Sequence, residues 1–318
     1  MIRRVRQLGK MGHAILIIVC LAASMIPISV SAESEPKTEG DIRIVATFFP
    51  IYLFTKNITA GIENIKVEIL LPSTYGCPHD YSVSPDDIRK IHEADIIVMN
   101  GLGMEEFLSK ILPTEKYNPR IIVASEGLKP IKLRYYEGGG SSSGSQHENN
   151  PHIFASPKEA AEMARTITDS LIQILPQYED NLKKNGRSYE EALDNLSKEF
   201  SDSLQNLKNP KIVTVHEVFD YMARDYGFII LDVIEKEPGQ EPSAKELISE
   251  VNEFRQEGVA ALFSEPQYST RIVDMIGKEV GIPVYSLDPV ASGPIDPPLD
   301  YYQAMMSQNL TVLMKAMK

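Results

Sequence analysis

Lys211-Ile212-Val213-Thr214-Val215-His216-Glu217-Val218-Phe219-Asp220-Tyr221 puts a histidine where one residue pattern gives way to another. Residues 211–215 form a short run rich in β-branched side chains, suited to a buried parallel strand. Residues 217–226 follow with helical spacing, and 228–233 again read as strand. The stretch is therefore a β/α unit with an imidazole at the carboxyl end of its strand. In open α/β sheets that is where ligands gather.

The same alternation runs outward in both directions. Downstream come a helix over 244–256 capped by Ser243, a strand over 259–263, a helix over 270–279, a strand over 282–287 and a closing helix over 299–317. Upstream, residues 42–47 read as strand, and 50–59 as a helix with Pro50 in its first turn. Strands follow at 65–71, 94–99 and 120–124. Ser84-Pro85-Asp86-Asp87 and Ser156-Pro157-Lys158-Glu159 both have the grammar of a capped helix start, the second opening a helix to about residue 174. From 176 to 206, Leu182, Tyr189, Leu193, Leu196, Phe200 and Leu204 recur at helical intervals, with Gly186 as the one weak point. The expected fold class is α/β. Two lobes, each a mostly parallel sheet flanked by helices, are joined by a long rigid helix, with a metal site in the cleft between them. The expected boundaries are a signal peptide at 1–32, a polar tether at 33–40, an N-terminal lobe at 41–175, a linking helix at 176–207 and a C-terminal lobe at 208–318.

Residues 1–32 carry the signs of export. Arg3, Arg4, Arg6 and Lys10 precede an apolar stretch, and Val30-Ser31-Ala32 offers a signal peptidase site. An uncleaved anchor and lipidation at Cys20 are the alternatives; Val19 before Cys20 argues against the second. Cleavage removes four basic residues and no acidic one, taking the formal charge from −12 to −16. Such an acidic surface argues against nucleic acid and anionic lipid as partners. Only Cys77 remains in the mature chain, so the fold stands on packing without an intrachain disulfide. Residues 137–150, dominated by glycine and serine, cannot pack a core and read as a mobile loop carrying His147.

His79, His152, His216 and Asp288 are spaced 73, 64 and 72 residues apart. Pro78 and Pro151 each hold a histidine on a stiffened loop, while His216 and Asp288 each follow a strand. Imidazole nitrogen and carboxylate oxygen in a four-coordinate shell are what Zn²⁺ favours. Around these residues the chain resembles the solute-binding proteins of metal-importing ABC transporters, the zinc and manganese group known as cluster A-I. Pro78-His79-Asp80-Tyr81 is similar to that family's first ligand loop. Asn150-Pro151-His152-Ile153-Phe154-Ala155-Ser156-Pro157 is similar to its second, with Asn for Asp and Phe for Trp. His216-Glu217-Val218-Phe219-Asp220-Tyr221 and Asp288-Pro289 resemble the third and fourth. Glu241-Pro242-Ser243-Ala244-Lys245-Glu246-Leu247 and Phe263-Ser264-Glu265-Pro266-Gln267 also look like family stretches. Two features depart from the pattern: the histidine-rich loop of many zinc members is a Gly/Ser loop here, and Cys77 stands two residues before His79.

The resemblance implies an exported, non-enzymatic, monomeric carrier that binds Zn²⁺, with Mn²⁺ as the alternative, and delivers it to the membrane permease of an ABC importer. His216 moves the shell toward nitrogen and so toward zinc, since manganese members tend to present a carboxylate there. An iron carrier and a surface adhesin are further alternatives. A zinc hydrolase is disfavoured because four protein ligands leave no position for a catalytic water and no His-Glu-x-x-His motif is present. Glu265 follows a strand end, where acceptance of a hydrogen bond from a ligating imidazole is one reading and a plain acidic surface residue the other. Glu217 is expected in the first turn of its helix, His92 on the surface, and Cys77 as a small, partly buried residue.

Overall fold

The computed structural model describes residues 40–76, 78, 81–110, 118–134, 149–235 and 243–318. The expectations for the signal peptide, the tether, His79, Cys77 and His147 lie outside the described residues. Two four-stranded sheets, all pairs parallel, organise the chain. The first comprises β1 (Ile42–Ala46), β2 (Ile65–Ile69), β3 (Ile96–Met99) and β4 (Arg120–Val123), in the order β2-β1-β3-β4. The second comprises β5 (Lys211–Thr214), β6 (Ile229–Val233), β7 (Ala261–Ser264) and β8 (Val284–Ser286), in the same order, β6-β5-β7-β8. The strand order reverses between β1 and β3 and again between β5 and β7, so each lobe has its own switch point.

Helices α1 (Phe49–Ile58), α2 (Pro85–Glu93), α3 (Pro157–Ile174), α4 (Glu179–Leu204), α5 (Asp220–Tyr226), α6 (Ala244–Glu257), α7 (Arg271–Val280) and α8 (Tyr301–Met317) cover the sheets. The long helix joining the lobes is α4, about 39 Å at 1.5 Å per residue; a single 3-10 turn at Pro176–Tyr178 separates it from α3. Leu182, Tyr189, Leu193, Leu196, Phe200 and Leu204 form its buried stripe. Gly186 is a requirement of packing rather than a weakness: a Cβ there would stand 2.4 Å from Thr168 Cγ2, so its absence lets α3 and α4 approach. Ser84 caps α2 in a capping box with Asp87, as its sequence grammar predicts. Ser156 does not cap α3 with its side chain; its hydroxyl donates to Asp225 Oδ2 at 2.7 Å on α5 instead.

The lobes do not have separate cores. One continuous apolar cluster runs from β1 and α1 through α3 and α4 to α5 and α8, while a smaller one fills the outer face of the second sheet under α6 and α7. Polar ties reinforce the junction. Tyr302 Oη donates to the Phe154 carbonyl at 2.7 Å, and Asn57 Nδ2 donates to the Leu299 carbonyl at 2.9 Å. Phe49 packs edge-on against Tyr301 and so close to Gly293 that a Cβ there would meet the ring at 2.3 Å. Lys132 and Asn149 form an antiparallel bridge, backed by Asn150 N–H donating to the Ile131 carbonyl at 2.7 Å.

Candidate metal centre

All four strands of the second sheet deliver a polar residue at their carboxyl ends: His216 after β5, Glu235 after β6, Glu265 after β7 and Asp288 after β8. His216 is buried, its carbonyl fixed by a 2.9 Å bond from Thr214 Oγ1. Its Nδ1 lies 2.7 Å from Glu265 Oε1 and its Nε2 lies 3.1 Å from Glu235 Oε2. The Tyr268 ring sits against the imidazole, 4.1 Å between centroids. Burial opposes an imidazolium here, but Glu265 and then Glu235 outweigh it and raise the His216 pKa above the usual histidine value. Glu265 is buried, and its other oxygen accepts from Gln267 Nε2 at 2.7 Å. Glu265 therefore orients the ring. The neutral tautomer compatible with it keeps the proton on Nδ1 and leaves the Nε2 lone pair for a cation.

Asp288 is held as firmly. Asn309 of α8 accepts from the Asp288 N–H at 2.9 Å and donates to its carbonyl at 2.6 Å. Oδ1 takes the Val290 N–H at 2.7 Å. Val290 has φ +61°, a conformation a β-branched residue rarely adopts, and it is fully buried. A strained backbone two residues after Asp288 is the kind of feature found where geometry serves function. Burial raises the Asp288 pKa, with the Glu265 charge contributing in the same direction.

His152 reaches the same region from the segment before α3. Asn150 Oδ1 lies 2.9 Å from both the His152 backbone nitrogen and Nδ1, fixing the ring as Glu265 fixes His216. Asn150 is in turn gripped by the His216 segment. Its Nδ2 donates to the Glu217 carbonyl at 2.9 Å, and its carbonyl accepts from Tyr221 Oη at 2.6 Å. On the first-lobe side, Asn100 Nδ2 donates to the Pro151 carbonyl at 2.9 Å. Buried Glu105 holds that turn by accepting from Thr47 Oγ1 and the Asn100 N–H, both at 2.7 Å, and from the Gly101 N–H at 3.1 Å. Desolvation pushes the Glu105 pKa up to about 7 against these bonds.

Glu217 corrects its sequence reading. Helix α5 begins at Asp220, so Glu217 precedes it and accepts the Arg134 N–H at 2.5 Å rather than facing a helix dipole. Burial raises its pKa to about 7. Of the residues around His79, Gly76 lies against Gln267, with 3.7 Å from its would-be Cβ to Cγ. Tyr81 Oη donates to Asp87 Oδ2 at 2.7 Å. Gly76 is therefore placed beside the Gln267–Glu265–His216 chain. Among the described residues no group of three or more His, Cys, Asp or Glu is arranged to hold a metal ion. Glu235 is the residue that sequence reasoning missed.

One parallel-sheet frame thus occurs twice, with His216 held by Glu265 at a strand end and His152 held by Asn150 just before the 3-10 turn that leads into α3. The chain belongs to the family described as zinc-uptake complex component A, periplasmic, whose model matches residues 44–316. Members of this family are exported solute-binding proteins, not enzymes. The chain is 30% identical over 267 residues to the zinc-binding lipoprotein AdcA of Streptococcus pneumoniae, covering 83% of this chain and 53% of that protein. It thus spans about half the length of the first curated relatives it matches. It is 27% identical to the high-affinity zinc uptake system protein ZnuA of Bacillus subtilis, covering 89% of this chain and 90% of that one. The solved structure of the solute-binding protein FpvC from Pseudomonas aeruginosa in complex with Mn²⁺ is similar with a TM-score of 0.74 and 26% identity, covering 87% and 98% of the two chains.

Proposed function

We propose that this chain captures a divalent transition metal outside the cytoplasm and delivers it to the membrane permease of an ABC importer, with Zn²⁺ as the cargo. His79, His152, His216 and Asp288 are the proposed ligands, the chain acts as a monomer after loss of residues 1–32, and nucleic acid is not a partner. The reading rests first on the His216–Glu265 pair, which is the carboxylate–imidazole arrangement that orients a metal-binding ring. Glu235, Glu265 and Asp288 supply negative charge around it, which favours a cation and disfavours an anionic or neutral solute. Membership of a zinc-uptake family, and likeness to proteins named for zinc binding and zinc uptake, support the same cargo.

Manganese is the second reading, favoured by the carboxylates beside His216 and by the likeness to FpvC solved with Mn²⁺. Equilibrium dialysis against equimolar Zn²⁺ and Mn²⁺, with bound metal counted by mass spectrometry, separates the two. We expect zinc retained at one ion per chain; preferential manganese retention reverses the assignment, and retention of neither removes the carrier reading.

A further inference from the structure

We propose that Glu235 is a direct ligand of the transported cation, a fifth donor in addition to the three histidines and Asp288; this deepens the carrier reading above and rests on it. The argument begins with the two nitrogens of His216. Nδ1 is engaged by Glu265 at 2.7 Å, so any metal on this ring binds through Nε2. The atom already facing Nε2 is Glu235 Oε2, at 3.1 Å. Zinc bonds to nitrogen and oxygen of about 2.0–2.1 Å, set at the roughly 90–120° angles of a five-coordinate shell, place two neighbouring donor atoms about 2.9–3.6 Å apart. The observed pair, at 3.1 Å, falls within that range. A cation bound to Nε2 takes the ring axis, so Glu235 Oε2 must swing to one side of that axis while keeping about the same distance from the nitrogen.

Glu235 is also poorly placed to withdraw. Its backbone N–H donates to the Val215 carbonyl at 2.9 Å, which ties it to the residue before His216, and its side chain is only 17% exposed. A metal on Nε2 removes the hydrogen-bond partner that this carboxylate faces, leaving a largely buried charge to be compensated. Coordination supplies the compensation. With Asp288 the shell then has three nitrogens and two oxygens, a set richer in hard donors than His₃Asp and more tolerant of Mn²⁺ or Fe²⁺.

The alternative is that Glu235 merely hydrogen-bonds the ring and moves aside when metal binds. X-ray absorption at the zinc edge and the visible spectrum of the Co²⁺-loaded protein distinguish the two, using the mature full-length chain, its isosteric Glu235→Gln variant and Glu235→Ala. Five nitrogen or oxygen scatterers in the wild type and four in Glu235→Ala are expected, with the cobalt bands intensifying as the site becomes tetrahedral. Zinc affinity should fall at least tenfold in Glu235→Gln, and Mn²⁺ affinity by a larger factor. A four-coordinate wild type, or a zinc-loaded variant with unchanged coordination and cobalt spectrum, overturns the assignment of Glu235. The wild-type coordination number decides the matter even where a variant fails to fold. Wild-type protein that takes up no metal overturns the carrier reading instead.

Discussion

At His216 the location of one proton decides which nitrogen is free. Glu265 keeps that proton on Nδ1, so Glu265→Gln should weaken zinc binding by about 10- to 100-fold, the usual cost of losing a partner behind a metal ligand, with little change in thermal midpoint. Isothermal titration beside a melting curve tests both halves; an unaltered zinc affinity would mean that ring orientation does not depend on this carboxylate. The acid side follows from the raised His216 pKa. Its folded-state pKa lies above the ordinary value, so the imidazolium contributes stability that is complete below about 6.5 and lost as pH rises through the folded pKa. Zinc competes with that proton. Affinity should therefore decline on acidification from a higher pH than for a free imidazole, and the onset should move to lower pH in Glu265→Gln. A titration of zinc affinity against pH in both proteins checks the shift. His216 was legible in sequence because it directly follows an apolar run, and Glu265 was in view because it follows a strand end. Glu235 was not, since its importance comes from β6 lying beside β5 in a particular register, which spacing along the chain does not encode.

Among the elements, the turn after β3 and the α3–α4 pair carry the clearest consequences. Three donors converge on Glu105, yet burial holds its pKa near 7. An acid whose folded pKa is raised destabilises the fold once pH exceeds its unfolded value, so wild-type stability should fall between about pH 4.5 and pH 7. Glu105→Gln should remove that slope while lowering stability at the acid end, where it loses a well-matched acceptor; urea unfolding across this range is the measurement. Between α3 and α4, Gly186→Ala gains helix propensity worth about 1 kcal/mol but drives a methyl into Thr168, an overpacking cost of about 1–3 kcal/mol. A net loss is expected, and Thr168→Ala in the same chain should recover part of it. Additive effects in that double-mutant cycle would show that the helices are not in contact there. The long helix was legible from its apolar stripe, whereas the meaning of Gly186 needed the partner helix. The start of α5 was misjudged for a related reason: Val218 and Phe219 have helical spacing from later residues but are buried in a turn before the helix.

For the whole molecule, the two-lobe architecture and parallel sheets followed from the β/α rhythm, but the continuity of the core did not. Periodicity reports which face of an element is apolar and is silent on which neighbour covers it. Because α1, α4 and α8 share one apolar cluster, metal binding is expected to produce a small tilt and local ordering rather than a clamshell closure. Small-angle scattering with and without zinc should show a change in radius of gyration below about 2 Å; a larger change would require the junction around Phe49, Gly293 and Tyr301 to open. Zinc held by the folded state alone should also raise stability by about 2.7 kcal/mol at a free concentration of 100 Kd.

The Lys132–Asn149 bridge has a consequence for engineering of the chain. Two residues 17 positions apart are joined before the chain goes on to His152, so whatever lies between them is closed off at its root. Lengthening or replacing that stretch costs little, since loop closure depends only logarithmically on length. A fluorescent reporter grafted between the bridged residues should therefore leave the two-sheet frame undisturbed.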